Sequence, residues 1–391
     1  MMIVSSDLQF GALFLMIIGG ISATAAFIMF TEISQFLKFP PSIVINILLR
    51  RRLLAVLSVG TFGSGLFLAT LSDAGSTPVL IISALCFALV FYGAFLFIPY
   101  KVFRARQNGA GYLSVAEIET TTEDTISPDD LVLVVEINGD CRAFPHKWIG
   151  QPHIAGDTIG GEDVVMTYCM LSHLGMAFSP TLEGKKMDLR VIAQLENNLV
   201  FYDTVSRQPV RQFRGVTEGS HQALKQFPTQ VMPWRSYRRL YPDGKVLFNP
   251  PQGWIDRLWL WMEKKIIPRH LNSDWMLFDT MGEVDGRLPG KEKIWGMAAD
   301  GHAVAWTLAY LKQSCPFAAS VGGRDVVIVY DRDLDTVSGF DGTLGGKAVA
   351  ADHVDIRGQS PVGVLNRVPV YSAVLWMIWA NFYPDTELYT G

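Results

Sequence analysis

Three long stretches without a charged residue constrain this chain more than any other feature of its sequence. They span residues 10–31, 53–72 and 78–100. Each has about the length that an α-helix needs to cross the hydrocarbon core of a bilayer, roughly 20 residues. A cleaved secretory signal does not fit, because three such stretches follow one another and no basic segment precedes the first. We therefore predict an N-terminal anchor of three transmembrane helices over residues 1–106.

The basic residues around these stretches predict the orientation of the anchor. Neither the N-terminus nor the short loop at Asp73 contains Lys or Arg. Two basic clusters follow the first and third stretches: Lys38 with Arg50, Arg51 and Arg52, and Lys101 with Arg104 and Arg106. Loops rich in Lys and Arg face the cytoplasm in most membrane proteins. The pattern predicts a cytoplasmic soluble domain and makes the lipid bilayer a partner of the chain.

Charge and cysteine content exclude several classes of protein. The net charge is -4, so nothing favours a nucleic-acid partner. The cysteines lack the short paired spacing of a disulfide framework or a Cys-x-x-Cys zinc site, and they stand at Cys86, Cys141, Cys169 and Cys315. No Walker, dinucleotide or Gly-x-Ser-x-Gly motif occurs, so the sequence assigns no cofactor.

The region after the anchor has the pattern of a mainly β (α+β) soluble domain. Residues 107–130 are polar and are predicted to form a linker. From Leu131 onward, short β-branched runs alternate with Gly, Asn and Asp. The segment VEINGDCRAF places Asn138-Gly139 between two such runs, which is a strong signal for a β-hairpin. We therefore predict a β-rich domain over residues 131–391.

An internal comparison predicts that this domain consists of two tandem repeats. Residues 138–168 align without gaps to residues 300–330, and residues 234–247 align to residues 376–389. In the second pair, WRSYRRLYPDGKVL matches WMIWANFYPDTELY, with Tyr-Pro-Asp in both. The predicted boundaries are about 131–250 for repeat one, 251–290 for a connector and about 291–391 for repeat two.

One element of the first repeat is missing from the second. The strand-like run VVMTY ends in Cys169, which is followed by Met170, Leu171, Ser172 and His173. The aligned second repeat has Asp331 in place of Cys169, and Leu334 and Asp335 in place of Ser172 and His173. A purely structural role predicts a small or apolar residue in both repeats. The difference therefore favours a function for Cys169.

The chain from about residue 131 to its end resembles the DUF3179 family of unknown function. The matching blocks are EINGDCRAFP, GDTIGGEDVVMTYCMLSHLGMAF, LENNLVFYDTVSRQPVRQFRG and FYPDTELY. Many members of this family carry Cys-Pro-Leu-Cys where this chain has Cys169-Met170-Leu171-Ser172. Some members are described as selenoproteins, and selenium at the counterpart of Cys169 would imply redox chemistry there. Many members are exported, so the resemblance implies a periplasmic or extracellular domain as the alternative location.

The sharper hypothesis for this element is a thiol oxidoreductase. A thiol exposed at the end of a strand can be held as a thiolate by backbone N–H groups and by a neighbouring imidazolium. We therefore predict Cys169 as the nucleophile, His173 as the residue that lowers its pKa, and Ser172 as a hydrogen-bond donor. Ser172 excludes a disulfide within this motif, so the route would use a sulfenic acid or a mixed disulfide with a thiol partner protein.

Further polar residues of the first repeat are candidates for a substrate pocket beside Cys169. They are His153, Asp157, Asn198, Tyr202, Asp203 and Arg214. An arginine beside a thiolate or an anionic substrate is favourable. The competing interpretation is that Asn and Asp form the turns of a hairpin.

The sequence leaves three interpretations of Cys169: a redox thiol, an inert buried cysteine, and a metal ligand. The metal interpretation would add His146 and His153, but their spacing matches no standard zinc motif. The rival from another functional class is a non-catalytic membrane module that binds a ligand or a partner subunit.

The connector also has two interpretations. Its Trp-rich residues 253–270 suit either an interfacial helix on anionic lipid or a helix packed on the β domain.

Overall fold

The computed structural model describes residues 2–31, 33–72, 74–121, 125–281 and 283–391. Asp73, in the loop used for the orientation argument, and residues 122–124 of the predicted linker lie outside the described residues. The N-terminal part is helical. Its helices are α1 Met2–Met29, α2 Ile33–Phe36, α3 Pro41–Leu49, α4 Arg51–Leu71 and α5 Thr77–Tyr92, which a π-helical segment, Gly93–Val102, continues.

The described residues contain three helices long and apolar enough to cross a membrane. They cover Ser6–Met29, Arg51–Leu71 and Thr77–Ile98. The first two pack closely where glycines remove a side chain. A Cβ added at Gly19 would lie 2.6 Å from the Phe62 backbone nitrogen, and one at Gly65 would lie 2.6 Å from the Ala12 carbonyl oxygen. Small residues at such crossings let two helices approach to backbone contact.

The segment predicted as a linker differs from that prediction, because part of it joins the β domain. Tyr112–Ser114 forms strand β1, and Val115–Thr120 forms helix α6. Ser114 caps this helix: its hydroxyl accepts from the Glu117 N–H, and the Glu117 carboxylate accepts from the Ser114 N–H. This capping box satisfies backbone donors at the helix start.

The first half of the β domain is built around two sheets and a third, inserted sheet. Besides β1 and α6, its elements are β2 Leu131–Ile137, β3 Asp140–Pro145, α7 His146–Ile149, β4 Ile154–Ile159, β5 Glu162–Cys169, β6 Leu174–Phe178, β7 Thr181–Leu182, β8 Lys185–Lys186, β9 Leu189–Leu195, β10 Asn198–Asp203, β11 Pro209–Arg211, β12 Val216–Thr217, β13 Gln226–Phe227, β14 Gln230–Pro233, α8 Trp234–Leu240 and β15 Lys245–Leu247. The strand orders are β1-β15-β3-β2-β14, β13-β6-β5-β4 and, for the inserted sheet, β12-β11-β10-β9.

The second half is built around two sheets. Its elements are β16 Lys293–Ala299, β17 His302–Thr307, α11 Leu308–Ser314, β18 Phe317–Val321, β19 Arg324–Asp331, β20 Thr336–Asp341, β21 Thr343–Leu344, β22 Lys347–Ala348, a 3-10 turn Ala351–His353, β23 Gln359–Ser360, β24 Gly363–Val364, β25 Arg367–Val368, β26 Tyr371–Leu375, α12 Trp376–Phe382 and β27 Glu387–Tyr389. The strand orders are β26-β16-β17-β27 and β18-β19-β20-β25. In each half one pair is parallel, β15 with β3 and β27 with β17.

The inserted sheet lies between the rest of the β domain and the N-terminal helices. Its alternating side chains point to two faces, as the period of a strand requires. Leu199 and Phe201 belong to the main core, which runs through both halves of the domain. Val200 and Tyr202 instead pack with Phe30 and other residues of the helical part. This sheet therefore joins the two parts of the protein.

Two helices of the connector, α9 Trp254–Lys265 and α10 Ile267–Asn272, cover part of the domain surface. The ring of Trp259 lies 5.8 Å from that of Phe103 and 5.2 Å from that of His153. Trp254, Leu258 and Trp261 are exposed. One face of α9 thus packs on the protein, as one interpretation predicted, and an apolar face remains uncovered.

Candidate functional site

The residues singled out by the sequence lie at the turn between β5 and β6. β5 ends at Cys169, β6 begins at Leu174, and these two residues form the last pair of the hairpin. His173 closes the turn with φ of 55°, a conformation that non-glycine residues adopt rarely. Its side chain and that of Cys169 have different surroundings.

Cys169 is fully buried, which differs from the expectation of a thiol exposed at the end of a strand. Its sulfur donates a hydrogen bond to the Asn197 carbonyl oxygen at 3.7 Å. A carbonyl oxygen can only accept a hydrogen bond, so the sulfur takes part in this contact as an S–H donor. The other buried cysteine of the first half, Cys141, has a pKa raised by burial.

A chain of buried amide and hydroxyl groups surrounds the Cys169 side of the turn. The Asn198 amide donates to Ser172 Oγ at 3.3 Å and to Gln212 Oε1 at 3.1 Å. The Gln212 amide donates to the Thr167 and Leu174 carbonyl oxygens, both at 3.1 Å. Ser172 itself donates to the Cys169 carbonyl at 3.5 Å. Buried polar groups are costly unless they are paired, so this network fixes the shape of the turn.

The side chain of His173 lies in a second buried group that also includes His146 and Tyr168. The rings of His146 and His173 are 5.0 Å apart, and the Tyr168 hydroxyl lies 3.2 Å from His146 Nδ1. His173 Nδ1 is 3.1 Å from the Ala373 carbonyl and therefore donates to it. Lys293 is near enough to influence both histidines.

The surroundings of His173 give no support to its predicted role of lowering the pKa of Cys169. Burial, with a smaller contribution from Lys293, lowers the pKa of His173 to about 3, so the ring is neutral at physiological pH. Burial also lowers the pKa of His146 well below its usual value. Neither ring supplies the positive charge that would lower the pKa of Cys169. Titratable groups perturbed in this way are nevertheless typical of functional sites.

Of the predicted pocket residues, Asn198 and His153 lie beside the turn. Asn198 belongs to the amide network described above. His153, at φ of 66°, accepts a hydrogen bond from the Tyr168 N–H through its own carbonyl at 2.8 Å. Its Nδ1 lies 3.2 Å from the Tyr168 carbonyl, and burial lowers its pKa to about 4.

The other predicted pocket residues have different partners. Asp157 accepts from Arg142 at 2.5 Å and stands opposite Val164, five positions before Cys169, or roughly 17 Å along an extended strand. Tyr202 lies beside Arg51, on the side of the N-terminal helices. Asp203 accepts from the N–H groups of its own turn, and Arg214 lies over the Phe382 ring at 5.6 Å. Asp157 lies along β4, and Tyr202 and Asp203 lie along β10, away from the end of β5 that carries Cys169. The sequence pattern did not predict this separation.

The connector closes the site from outside. His270 Nε2 donates to the Leu171 carbonyl at 2.9 Å, and its Nδ1 accepts from the Leu277 N–H at 3.1 Å. Asn197 donates to the Phe278 carbonyl at 2.8 Å. Sequence reasoning missed His270, since about a hundred residues separate it from the turn and no local pattern links them. It also missed Gln212, Tyr168 and Lys293, and considered His146 only as a metal ligand.

Within the described part of the chain, no group of three or more His, Cys, Asp and Glu side chains is placed to hold a metal ion. His146 and His173 have Tyr168 and Lys293 as neighbours rather than further ligands. The metal interpretation of Cys169 therefore gains no support from this arrangement.

Comparison with known proteins gives one match. A family model described as a protein of unknown function, DUF3179, matches residues 113–386. No curated protein and no solved structure matches the chain significantly.

Proposed function

The chain belongs to the DUF3179 family, and from this premise we propose that the Cys169 turn is its working centre and that the chemistry is thiol-based. The observation that carries the proposal is that two clusters of polar side chains, one of which contains the Cys169 thiol, lie on either side of one buried turn. Cys169, Ser172 and Asn198 lie on one side, and His146, Tyr168 and His173 lie on the other. A fold that needed only packing here would use apolar residues, because unpaired buried polar atoms destabilise it.

The proposed route uses a single thiol. A peroxide would oxidise the Cys169 thiol to a sulfenic acid and leave as water or an alcohol. An outside thiol would then displace water and form a mixed disulfide, since Ser172 cannot act as a resolving thiol. Because Cys169 is fully buried, the connector that covers the turn at Leu171 and Asn197 must move for this to occur.

Trapping of sulfenic acid tests this proposal. Membranes containing the full chain are treated with peroxide and a dimedone-type reagent, and peptides are analysed by mass spectrometry. We expect labelling at Cys169, more of it in His270→Ala because the cover is loosened, and none at Cys141. The matched control is Cys141→Ser, which should leave Cys169 labelling unchanged. Labelling of Cys169 only after denaturation would refute the thiol chemistry.

The second candidate is a non-catalytic module that binds a ligand or a partner subunit. The complete burial of Cys169 and its hydrogen bond to a carbonyl favour this candidate. It predicts that Cys169→Ser behaves as the unmodified protein in every assay, because Ser is nearly isosteric and can donate the same hydrogen bond. The trapping experiment therefore separates the two candidates.

We further propose that the three N-terminal helices anchor the protein in a membrane, with the β domain in the cytoplasm. In support, the segment between the first two spans and the start of the second span both contact the β domain. Gln35 of that segment donates to the Gln194 carbonyl, and Arg52 at the start of the second span donates to the Thr204 carbonyl. In the second cluster the Arg106 N–H donates to the Ile154 carbonyl of β4 at 2.8 Å. Both basic clusters are thus on the side of the β domain, which the positive-inside rule assigns to the cytoplasm. The family resemblance gives the opposite placement as the alternative.

Labelling of an exposed position decides between these placements. Ser127 is exposed, so Ser127→Cys in a Cys86→Ser background offers a thiol outside the spans. In intact cells an impermeant maleimide should fail to label it and should succeed after lysis. Ready labelling before lysis would place the domain outside.

We propose, finally, that the two halves of the β domain arose by duplication. Support comes from the sheet orders: β14-β2-β3-β15 and β26-β16-β17-β27 follow the same succession, as do β4-β5-β6-β13 and β18-β19-β20-β25. The inserted sheet β9–β12 then belongs to the first half alone. The turn after β5 has a counterpart after β19, but its residues Cys169, Ser172 and His173 occur only in the first half.

A further inference from the structure

A cavity of about 170 Å³ opens where the second span begins, beside the inserted sheet. By the liquid volume of water, roughly 30 Å³ per molecule, it has room for a group of several heavy atoms. Its lining combines cations, hydroxyl groups and aromatic rings without a carboxylate: Arg51, Arg52, Ala55, Phe95, Tyr100, Tyr202 and Thr204.

Arg51 is the unusual member of this lining. Its side chain is only 6% exposed. One amino group donates to the Phe95 carbonyl at 2.8 Å, while Nε is buried and has no hydrogen-bond partner among the described residues. The guanidinium lies 5.6 to 5.9 Å from the ring centres of Phe30, Phe95 and Tyr202. Aromatic faces attract a cation, but they offer no acceptor that would pair the Nε–H.

No carboxylate neutralises Arg51 in the described part of the chain, where the ion pairs involve neither Arg51 nor Arg52. Asp203 is near in sequence, but its carboxylate accepts from the N–H groups of Asp188 and Ser206. A buried charge without a counter-charge is strongly unfavourable. The surroundings of Arg51 therefore favour the binding of an anion in this cavity.

The side chains that line the cavity determine which kind of anion it can bind. A planar guanidinium fits two oxygens of a phosphate, and a second cation with hydroxyl donors can hold the others. Arg52, the second cation, lines the cavity, and its side chain donates a hydrogen bond to the Thr204 carbonyl at 3.3 Å. Tyr100 and Tyr202 supply hydroxyl groups.

We infer that this cavity binds a phosphate group, supplied by the headgroup of an anionic phospholipid. Arg51 is the first residue of one span, and Tyr100 follows another span that ends at Ile98. Both residues therefore stand at the level of the headgroups if the spans cross the bilayer, so the lipid source rests on the proposed membrane anchor. A free phosphate is the other source of the same chemistry. Neither source involves Cys169, so failure of the thiol proposal leaves this one intact.

The test uses the full chain in a neutral detergent and measures its thermal unfolding. The probes are inorganic phosphate alone, phosphatidylglycerol in mixed micelles, and phosphatidylcholine in matched micelles. We expect phosphatidylglycerol to raise the unfolding temperature and phosphatidylcholine to leave it unchanged. Stabilisation by inorganic phosphate alone, equal to that by phosphatidylglycerol, would identify a soluble phosphate as the ligand at the same site.

Three arginine variants test whether phosphatidylglycerol binds at this cavity rather than elsewhere on the protein. Arg51→Gln and Arg52→Gln should weaken phosphatidylglycerol binding at least tenfold. Arg50→Gln removes the same charge from an exposed neighbour that pairs with Asn46, and it should bind as the unmodified protein does. If Arg51→Gln fails to fold, Arg52→Gln and Tyr100→Phe decide. Stabilisation by neither probe, or an equal loss in Arg50→Gln, would overturn the inference.

Discussion

Asn198 and Ser172 are 26 positions apart in the chain, yet the amide nitrogen of the first lies 3.3 Å from the hydroxyl oxygen of the second in the core. The same Asn198 side chain accepts from the Phe213 N–H at 3.0 Å. One residue thus ties the inserted sheet to the turn that carries Cys169. The geometry of the turn depends on this connection.

Replacement of Asn198 tests that dependence. Asn198→Ala removes two donors and one acceptor and leaves the Phe213 N–H and Ser172 without these partners. We expect a loss of about 1–3 kcal/mol in the free energy of unfolding, the cost of unpaired buried polar groups. Denaturant titration of the detergent-solubilised chain measures it. Asn272→Ala, at an exposed position, is the control and should change stability by no more than about 0.5 kcal/mol.

The buried histidines predict a stability that falls in weak acid. The pKa of His173 is lowered to about 3 and that of His153 to about 4, while both are near 6.5 in the unfolded chain. The unfolded state therefore binds more protons between these values, so the stabilisation is complete above pH 6.5 and is lost as the pH falls towards 3.

Unfolding free energies at pH 7.5 and pH 5 measure this effect. For His173 alone the expected loss at pH 5 is about 2 kcal/mol. His173→Asn should therefore show a smaller difference between the two pH values. His353→Asn, which alters an exposed histidine, should keep the full difference. An identical pH dependence in His173→Asn would show that this histidine is not buried in its neutral form.

The contact between the first two spans predicts that alanine substitutions at two adjacent glycines have very different effects on stability. Gly19→Ala would push a methyl group against the Phe62 backbone, whereas Gly20→Ala meets nothing within 4 Å. We expect Gly19→Ala to cost about 1–3 kcal/mol because the helices must separate. Thermal unfolding in detergent is the measurement. Equal behaviour of the two variants would mean that the spans do not pack as described.

The uncovered face of α9 predicts contact with lipid. Asp256 forms an ion pair with Arg104, which follows the third long apolar helix. If that helix crosses the bilayer, as proposed, the ion pair holds α9 close to the membrane. A spin label at Leu258→Cys should therefore be relaxed by oxygen and shielded from an aqueous nickel reagent. Val362→Cys, at an exposed apolar position in the second half, should show the reverse. Access of nickel to both labels would favour a helix that faces water.

Features that depend on local pattern could be predicted from the sequence. Uncharged runs of about 20 residues correspond to the three long helices, and Asn138-Gly139 forms the turn between β2 and β3. The break after VVMTY correctly marked the end of β5 at Cys169. Such features depend on hydrophobic periodicity and turn chemistry, which are determined by residues close together in the sequence.

The surroundings of Cys169 and His173 became known only from the packed chain. The two residues share a turn, but one side chain faces the Asn197 carbonyl and the other faces His146 and Ala373. The cover by His270 and the cavity at Arg51 join segments that are about 100 or more positions apart. Burial and charge in such places are properties of the tertiary structure. The spacing of residues along the sequence does not predict burial or charge, because the desolvation of a side chain depends on which distant segments exclude water from it.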